Sequence, residues 1–448
     1  MIRSEHFLQL LRCPVSKLPL NHTDNLLLTT DGAHAYPIVN GIPWLLAHPR
    51  NSLLDWGAKL KHFQQVLLSE ITQLELDAND NVHASGFSRL ESLLLAKKDF
   101  LLEMTRLMQP LVETKVAPMA VYSALRDRAP NTQNLLSYEA NIYRDWQWGH
   151  EENQLSCELV QRLMPVRPGK FLVLGAGACR LALDLHSQCD TSLTVATDIN
   201  PLFLLAVKRL LDGDPFLLTE FPLQPKLMDY VAIKHQMAAP ANLRRDNFFL
   251  SFADAAKPPF APAAFNTVLT PWLIDVQPHA FRLFLRQLNY YLPVGGHWLN
   301  FGSLVFNQRR EALCYSSDEV VELAAEAGFE ILDMQQEEIP YLKSPYNAGY
   351  RVETVWLWRA VKRSDVAAQE DVQVLPDWLL DTSKPVPRTA DLQHLETQHH
   401  FLADLHQQID GARSLKHIAR YFARRDDSDA DEFERMLVNY FADMQGRF

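Results

Sequence analysis

The chain has 448 residues, 47% hydrophobic and 22% charged, with a formal net charge of −11. That is the balance of a globular protein with material for a large core and two to four domains. The acidic total argues against a general nucleic-acid binder, which needs a basic face to displace counterions. Nowhere does the sequence hold the run of about 18 apolar residues that crosses a membrane.

Residues 1–48 read as a small module. HFLQLLRCP predicts a short helix stopped by Pro14, and AYPIVNGIPWLL predicts two apolar strands turned at Asn40-Gly41. Residues 49–133 predict a helical spacer or cap, with apolar residues at three- and four-residue spacing in LLDWGAKLKHFQQVLL and FSRLESLLLAKKDFLLEMTRLM. The pattern then changes. NLLSYEANIYRDWQWGHEENQLSCELVQRLM is an aromatic-rich helical lead-in, KFLVLGAGA a strand running into a glycine loop, CRLALDLHSQ a helix, SLTVATDINP a strand and PLFLLAVKRLL a helix. Strands alternating with helices predict a doubly wound, mostly parallel α/β sheet. NFFLSFADA, FNTVLTPWLID and HWLNFGSLVF add strands, and the last follows a helix and the turn Pro293-Val294-Gly295-Gly296. Ser317 is placed as the N-cap of the next helix and Gly328 as its stop. FEILDMQQEEI and RVETVWLWRAV predict an antiparallel edge pair. Residues 134–363 form this domain, 364–389 a linker and 390–448 a small helical domain of three amphipathic segments.

Five cysteines, Cys13, Cys157, Cys179, Cys189 and Cys314, form no CxxC pair. Scattered and odd in number, they fit a reducing compartment and carry no zinc pattern. The start MIRSEHFLQLLRCP has no secretory pattern, so a cytoplasmic protein is expected.

The chemistry begins at Gly175-Ala176-Gly177-Ala178-Cys179-Arg180. A strand ending in glycines lets a ligand approach the backbone, and the following helix offers free N–H groups. The dinucleotide pattern wants a third glycine where Arg180 stands, so the loop is a poor pyrophosphate cradle. A methionine-nucleoside needs no such cradle. Asp198 ends the next strand, where an acid can accept ribose hydroxyls. It also reads as a cap before Pro201, with Asn200 beside it. Asp254 can reach an adenine amino group, with Phe252 and Ala253 near the ring, or can simply close a surface turn. TPWLIDVQPH ends the strand beside the glycine strand. There Trp272 can wall a pocket and Asp275 can orient a nucleophile or take its proton; the plainer reading is a buried aromatic and a helix cap. His279 reads as a first-turn helix residue. Arg144, Asp145, Trp146 and Trp148 in the lead-in can close over a cofactor or bind a substrate carboxylate, or form a salt-bridged surface helix.

Residues 134–362 resemble the carnosine N-methyltransferase family of class I methyltransferases. The resemblance is carried by RDWQWGHEE, LVLGAGACRLALDL, LTPWLIDVQPH, YLPVGGHWLNFGSLVFN and SSDEVVELAAEAGFEI with PYLKSPYNAGY. It implies a seven-stranded Rossmann-like sheet with an antiparallel edge strand and S-adenosylmethionine as cofactor. The resemblance implies a cofactor site at Gly175, Gly177, Arg180 and Asp198, a substrate role for Asp275 and pocket tyrosines at Tyr341 and Tyr350; with the local readings above, Arg144, Asn200, Asp254 and Trp272 are expected to join the cofactor site and Asn307 the substrate site. Two positions depart from the family. Asp198 stands where it usually has Glu, and Asn307 where it has a histidine that meets the substrate imidazole. An amide cannot share a proton as histidine does, which leaves the acceptor open.

LLRCPVSKLPL with DGAHAYPIVNGIPWLL resembles the small Trm112-type module. Only Cys13 of its paired cysteines remains, so no metal is expected. Related modules activate methyltransferases as separate partners. LHQQIDGARSLKHIARYFARR resembles small winged-helix modules of the peptide-chaperone type, which implies a peptide substrate. Together these readings predict a methyltransferase acting on a small molecule or peptide, with a protein partner possible at either terminal module. An idle methyltransferase fold serving as scaffold, and activity on protein or RNA, stand as alternatives.

Overall fold

The computed structural model describes residues 4–80, 83–112, 133–257, 259–276, 281–306, 308, 311–367, 383, 385, 387, 390–425 and 427–445. The chain forms two compact units, 1–370 and 371–448.

The first unit is organised by β5 (Gly169–Leu174), whose last four residues are all buried. Phe171 and Val173 belong to one apolar cluster, Leu172 and Leu174 to another. A strand buried on both faces reads as an unbroken apolar run, as KFLVL does. On either side lie β6 (Thr191–Asp198), β9 (Phe248–Ala253), β10 (Thr267–Pro271), β11 (His297–Gly302), β12 (Phe329–Tyr341) and β13 (Arg351–Lys362). The order β9-β6-β5-β10-β11-β13-β12 is parallel through β11; β13 runs antiparallel to β11 and β12. The chain winds outward from β5 to β9, then returns to build β10 and β11 on the other side. That reversal leaves a crevice at the carboxyl ends of β5 and β10.

The sheet has eleven strands rather than the expected seven. The difference is the N-terminal meander of β1 (Leu20–Thr23), β2 (Leu26–Thr29), β3 (Ala35–Val39) and β4 (Ile42–Leu45). β4 lies parallel to β9, pairing Trp44 with Phe252 and Leu45 with Ala253. Trp44 is fully buried, its ring 4.5 Å from Phe252. The free edge of β9 therefore has a mate, a long-range pairing that no local sequence signal specifies.

Helices cover both faces. α1 (Glu5–Leu10), α8 (Phe281–Tyr291) and α9 (Ser317–Glu326) pack with Leu172 and Leu174. α5 (His150–Leu163), α6 (Arg180–Gln188) and α7 (Pro201–Leu211) pack with Phe171 and Val173, together with the long α2 (Pro49–Asp80) and α3 (Ala84–Leu107). α7 is apolar nearly all round and correspondingly buried. α9 begins one residue earlier than expected: its N-cap is Ser316, which forms a reciprocal capping box with Glu319.

A two-stranded hairpin was not legible beforehand. β7 (Phe216–Glu220) and β8 (Ile233–Met237) pair antiparallel between α7 and β9, apart from the main sheet.

The second unit contains α10 (Ala390–Gln408), α11 (Leu415–Arg425) and α12 (Ala430–Gln445). Leu405, Ile418, Ala419, Phe422 and Leu437 form its core. No strand occurs among its described residues, so it shows a helical trio without a wing.

Candidate active site at the strand-end crevice

The glycine loop turns sharply. Gly175, Gly177 and Cys179 all have positive φ (65°, 53° and 60°). The two glycines differ in surroundings. A Cβ on Gly175 would lie 2.8 Å from Leu273 Cδ1, whereas one on Gly177 would meet nothing within 4 Å. Gly175 is a packing glycine, and Gly177 borders open space that a ligand can use.

Asp198, at the end of β6, faces the loop. Oδ2 accepts from the Gly177 N–H at 2.8 Å and Oδ1 from the Asn200 N–H at 2.9 Å. Burial holds its carboxyl above the usual range. The carboxylate keeps acceptor capacity for a hydroxyl donor. Asn200 is different. It is fully buried, accepts from Leu202 N–H and donates to the Leu135 carbonyl, and so caps α7.

The lead-in closes the loop from outside. α4 (Ala140–Tyr143) runs into a π-helical turn, Arg144–Trp148. Gly149 ends it, and a Cβ there would fall 2.4 Å from the Arg144 carbonyl oxygen. Such turns recur at functional sites. Trp146 Nε1 donates to the Ala178 carbonyl at 3.0 Å. Arg180 is bound to Asp184 through Nε (2.9 Å) and to the Asp145 carbonyl through NH1 (3.0 Å). These two bonds brace the loop against the lead-in. Arg144 pairs with Asp145 at 2.7 Å, and its guanidinium lies 5.9 Å from the centre of the Tyr341 ring.

Across the crevice, Trp272 has φ 50°, a strained conformation for a bulky residue. Its N–H donates to the Phe301 carbonyl at 2.8 Å. Gly302 permits the approach, since a Cβ there would lie 2.8 Å from the Trp272 nitrogen. The indole sits 4.9 Å from the Tyr341 ring, so Trp272 and Tyr341 form one wall. Asp275 follows. Its Oδ2 accepts from the Ser303 hydroxyl and, at 3.2 Å, from the Val305 N–H. Oδ1 is buried and has no hydrogen-bond partner among the described residues. Burial pushes the carboxyl up, against the pull of the Ser303 and Val305 bonds.

Three expected residues stand apart. Asp254 Oδ1 accepts from the Ala256 N–H at 2.9 Å, the turn-closing role, and Phe252 packs under Trp44 rather than toward a ligand. Tyr350 is 52% exposed, with the Lys343 ammonium 5.4 Å from its ring centre, and does not join the Tyr341 wall. Asn307 and His279 lie outside the described residues. No cluster able to hold a metal occurs among the described residues, and no described helix is long and apolar enough to cross a membrane.

Sequence reasoning missed the acidic group behind the lead-in. Tyr143 OH lies 2.7 Å from the Thr219 carbonyl and 2.8 Å from a Glu139 oxygen. His235 pairs with Glu220 at 2.7 Å. The alternation in FLLTE and IKHQM was the available signal.

A scan against protein-family models finds no match, and neither does a search of curated proteins. The solved structures similar to the chain include methyltransferases. One is an S-adenosylmethionine-dependent methyltransferase from Methanosarcina mazei, 12% identical, covering 46% of this chain and 96% of its own, with a TM-score of 0.31. A second is Haemonchus contortus phosphoethanolamine N-methyltransferase 2 in complex with S-adenosylmethionine, at 14%, 54%, 60% and 0.34. A third is the Haloferax volcanii complex of the Trm112 methyltransferase activator with a methyltransferase, at 13%, 52%, 100% and 0.35. The strand order β9-β6-β5-β10-β11-β13-β12 itself defines the doubly wound sheet.

Proposed function

We propose that the chain is an S-adenosylmethionine-dependent methyltransferase that N-methylates a small peptide or a peptide-like, imidazole-containing substrate. One observation carries the reading. An open position at Gly177 faces Asp198, and the unpartnered Asp275 oxygen follows the neighbouring strand β10 at the same strand-end crevice.

The residues fit the cofactor. Gly177 leaves room for it, Asp198 has lone pairs for the ribose hydroxyls, and Arg144, Trp272 and Tyr341 supply a charged and aromatic wall. The cofactor would supply an electrophilic methyl group, so the protein's task is to hold and orient. Asp275 accepts an N–H of the acceptor through Oδ1 and turns the nitrogen lone pair toward the reaction. Ser303 and the Val305 N–H fix the carboxylate from behind. Its raised pKa makes it a stronger base than a solvated carboxylate, able to take the acceptor's proton. The N-terminal meander is read as a Trm112-like module fused in cis, and the tail as a surface for a peptide or protein partner; their sequence resemblances support both.

Replacing Asp198 with Ala is expected to abolish S-adenosylmethionine binding by calorimetry. Unchanged affinity removes the ribose assignment. A labelled-methyl assay against size-fractionated metabolites and peptides identifies the acceptor, and cofactor binding without any methyl transfer favours the idle scaffold.

A further inference from the structure

Glu220, at the end of β7, has no part in the chemistry above. It is buried, and three segments distant in sequence converge on its carboxylate. Trp148 Nε1, from the end of the π turn, donates to Oε2 at 3.1 Å. His235 Nε2 on β8 meets the same oxygen at 2.7 Å. Ser344 Oγ, from the loop joining β12 to β13, donates to Oε1 at 3.5 Å.

Neighbouring bonds repeat the junction. The Gln147 amide donates to the Gln236 carbonyl at 2.8 Å. The Lys226 N–H donates to the Tyr346 carbonyl and the Ala348 N–H to the Gln224 carbonyl, both at 2.8 Å. The Leu342 and Lys343 N–H groups donate to Glu152 on α5, at 3.1 and 2.6 Å. The segments joined in this way are the two that carry Arg144 and Tyr341.

The geometry points to Glu220 as a positioning residue: from the inserted hairpin it latches segment 144–148 to loop 342–350 and so sets the Arg144–Tyr341 wall of the crevice. The functional half of this inference rests on the reading of that crevice as the S-adenosylmethionine site. A buried carboxylate persists only when well hydrogen-bonded, and bonds to a charged acceptor are the strong ones. Loss of the charge turns one acceptor oxygen into an amide NH2 and leaves only neutral, weaker bonds to Trp148, His235 and Ser344. The wall then has two partly independent halves.

The test uses the full chain as wild type, Glu220→Gln and Glu103→Gln. The last is the control, because Glu103 accepts the Thr219 N–H at 2.9 Å on the same hairpin without touching either wall segment. In Glu220→Gln, amide hydrogen exchange is expected to quicken about tenfold in peptides covering 144–149 and 342–350, the scale set by one ordinary hydrogen bond. S-adenosylmethionine affinity falls by about the same factor, with a near-wild-type melting temperature. Glu103→Gln leaves exchange in both peptides unchanged. Unaltered exchange in either peptide of Glu220→Gln overturns the latch, as does equal loosening by Glu103→Gln. Faster exchange with unaltered affinity overturns the positioning role. If the wild type binds no S-adenosylmethionine, the cofactor reading and the functional half fail together, and the exchange result still decides the latch.

Discussion

The crevice and the junction behind it are both built on buried acids, used in opposite ways. At the crevice, Asp275 keeps one oxygen without a partner among the described residues, and Asp198 is held by backbone N–H groups alone. At the junction, Glu220 gathers Trp148, His235 and Ser344, and Glu152 takes two backbone N–H groups. Unused hydrogen-bonding capacity in a buried group is costly unless a ligand completes it. The contrast sets a carboxylate with an unused oxygen at the crevice against carboxylates engaged by several segments at the junction.

The sharpest way to break this contrast is at Asp275. Replacement by Asn keeps the shape and the Ser303 contact but removes the base. A loss of about 10²–10⁴ in kcat is expected, the usual range for a general acid or base, with S-adenosylmethionine affinity retained. A labelled-methyl assay measures it, and full activity would reduce Asp275 to scaffold. In the wild type, activity should fall as pH drops through a carboxyl pKa above the usual range.

The two glycines give the next test. Gly177→Val points a side chain into open space and is expected to weaken S-adenosylmethionine binding by about a hundredfold or more, on the order of 3 kcal/mol. The positive φ adds a strain of about 1–2 kcal/mol to the fold. Gly175→Val meets Leu273 and should lower the melting temperature more than Gly177→Val does. Calorimetry and thermal melting of the two variants read the difference. Equal loss of affinity and stability in both would erase the distinction.

The smallest effect lies at Glu139. Burial, with the Glu220 charge adding, pushes its carboxyl from 4.5 up to about 7. One Tyr143 proton cannot serve both the Thr219 carbonyl and a carboxylate, whereas protonated Glu139 can donate to the Tyr143 oxygen. The folded-state pKa is the higher one. This contribution to stability is therefore complete below about 4.5 and is lost as pH rises through about 7. Glu139→Gln, which mimics the protonated acid, should raise the melting temperature by about 2 °C at pH 8 and leave it unchanged at pH 4.

The sequence made the central sheet legible because its inner strands are rich in apolar residues and lie between glycine, proline and cap residues. KFLVLGAGA, SLTVATDINP and the edge pair stand in the structure as β5, β6, β12 and β13. Periodicity also marked the long helices α2 and α3. What it could not mark was pairing. The β4–β9 edge, the hairpin and the Glu220 junction each join residues far apart in the chain, and no window of sequence contains both halves. The site divides along the same line. Gly177 and Asp275 carry local signals in a turn and at a strand end. Whether Asn200 or Arg180 faces a ligand or a neighbour depends on Leu135 and Asp145, which no spacing rule relates to them.

The pairing of β4 with β9 also bears on how the chain is made. Synthesis runs from the N-terminus at about 5–20 residues per second, so β4 leaves the ribosome on the order of ten seconds or more before its mate. Until β9 arrives, β4 has a bare edge and Trp44 has no Phe252 to lie against. Such distant contacts close late and slowly. The meander is thus translated well before the strand that secures it, and in that interval its edge is open to pairing with the wrong chain.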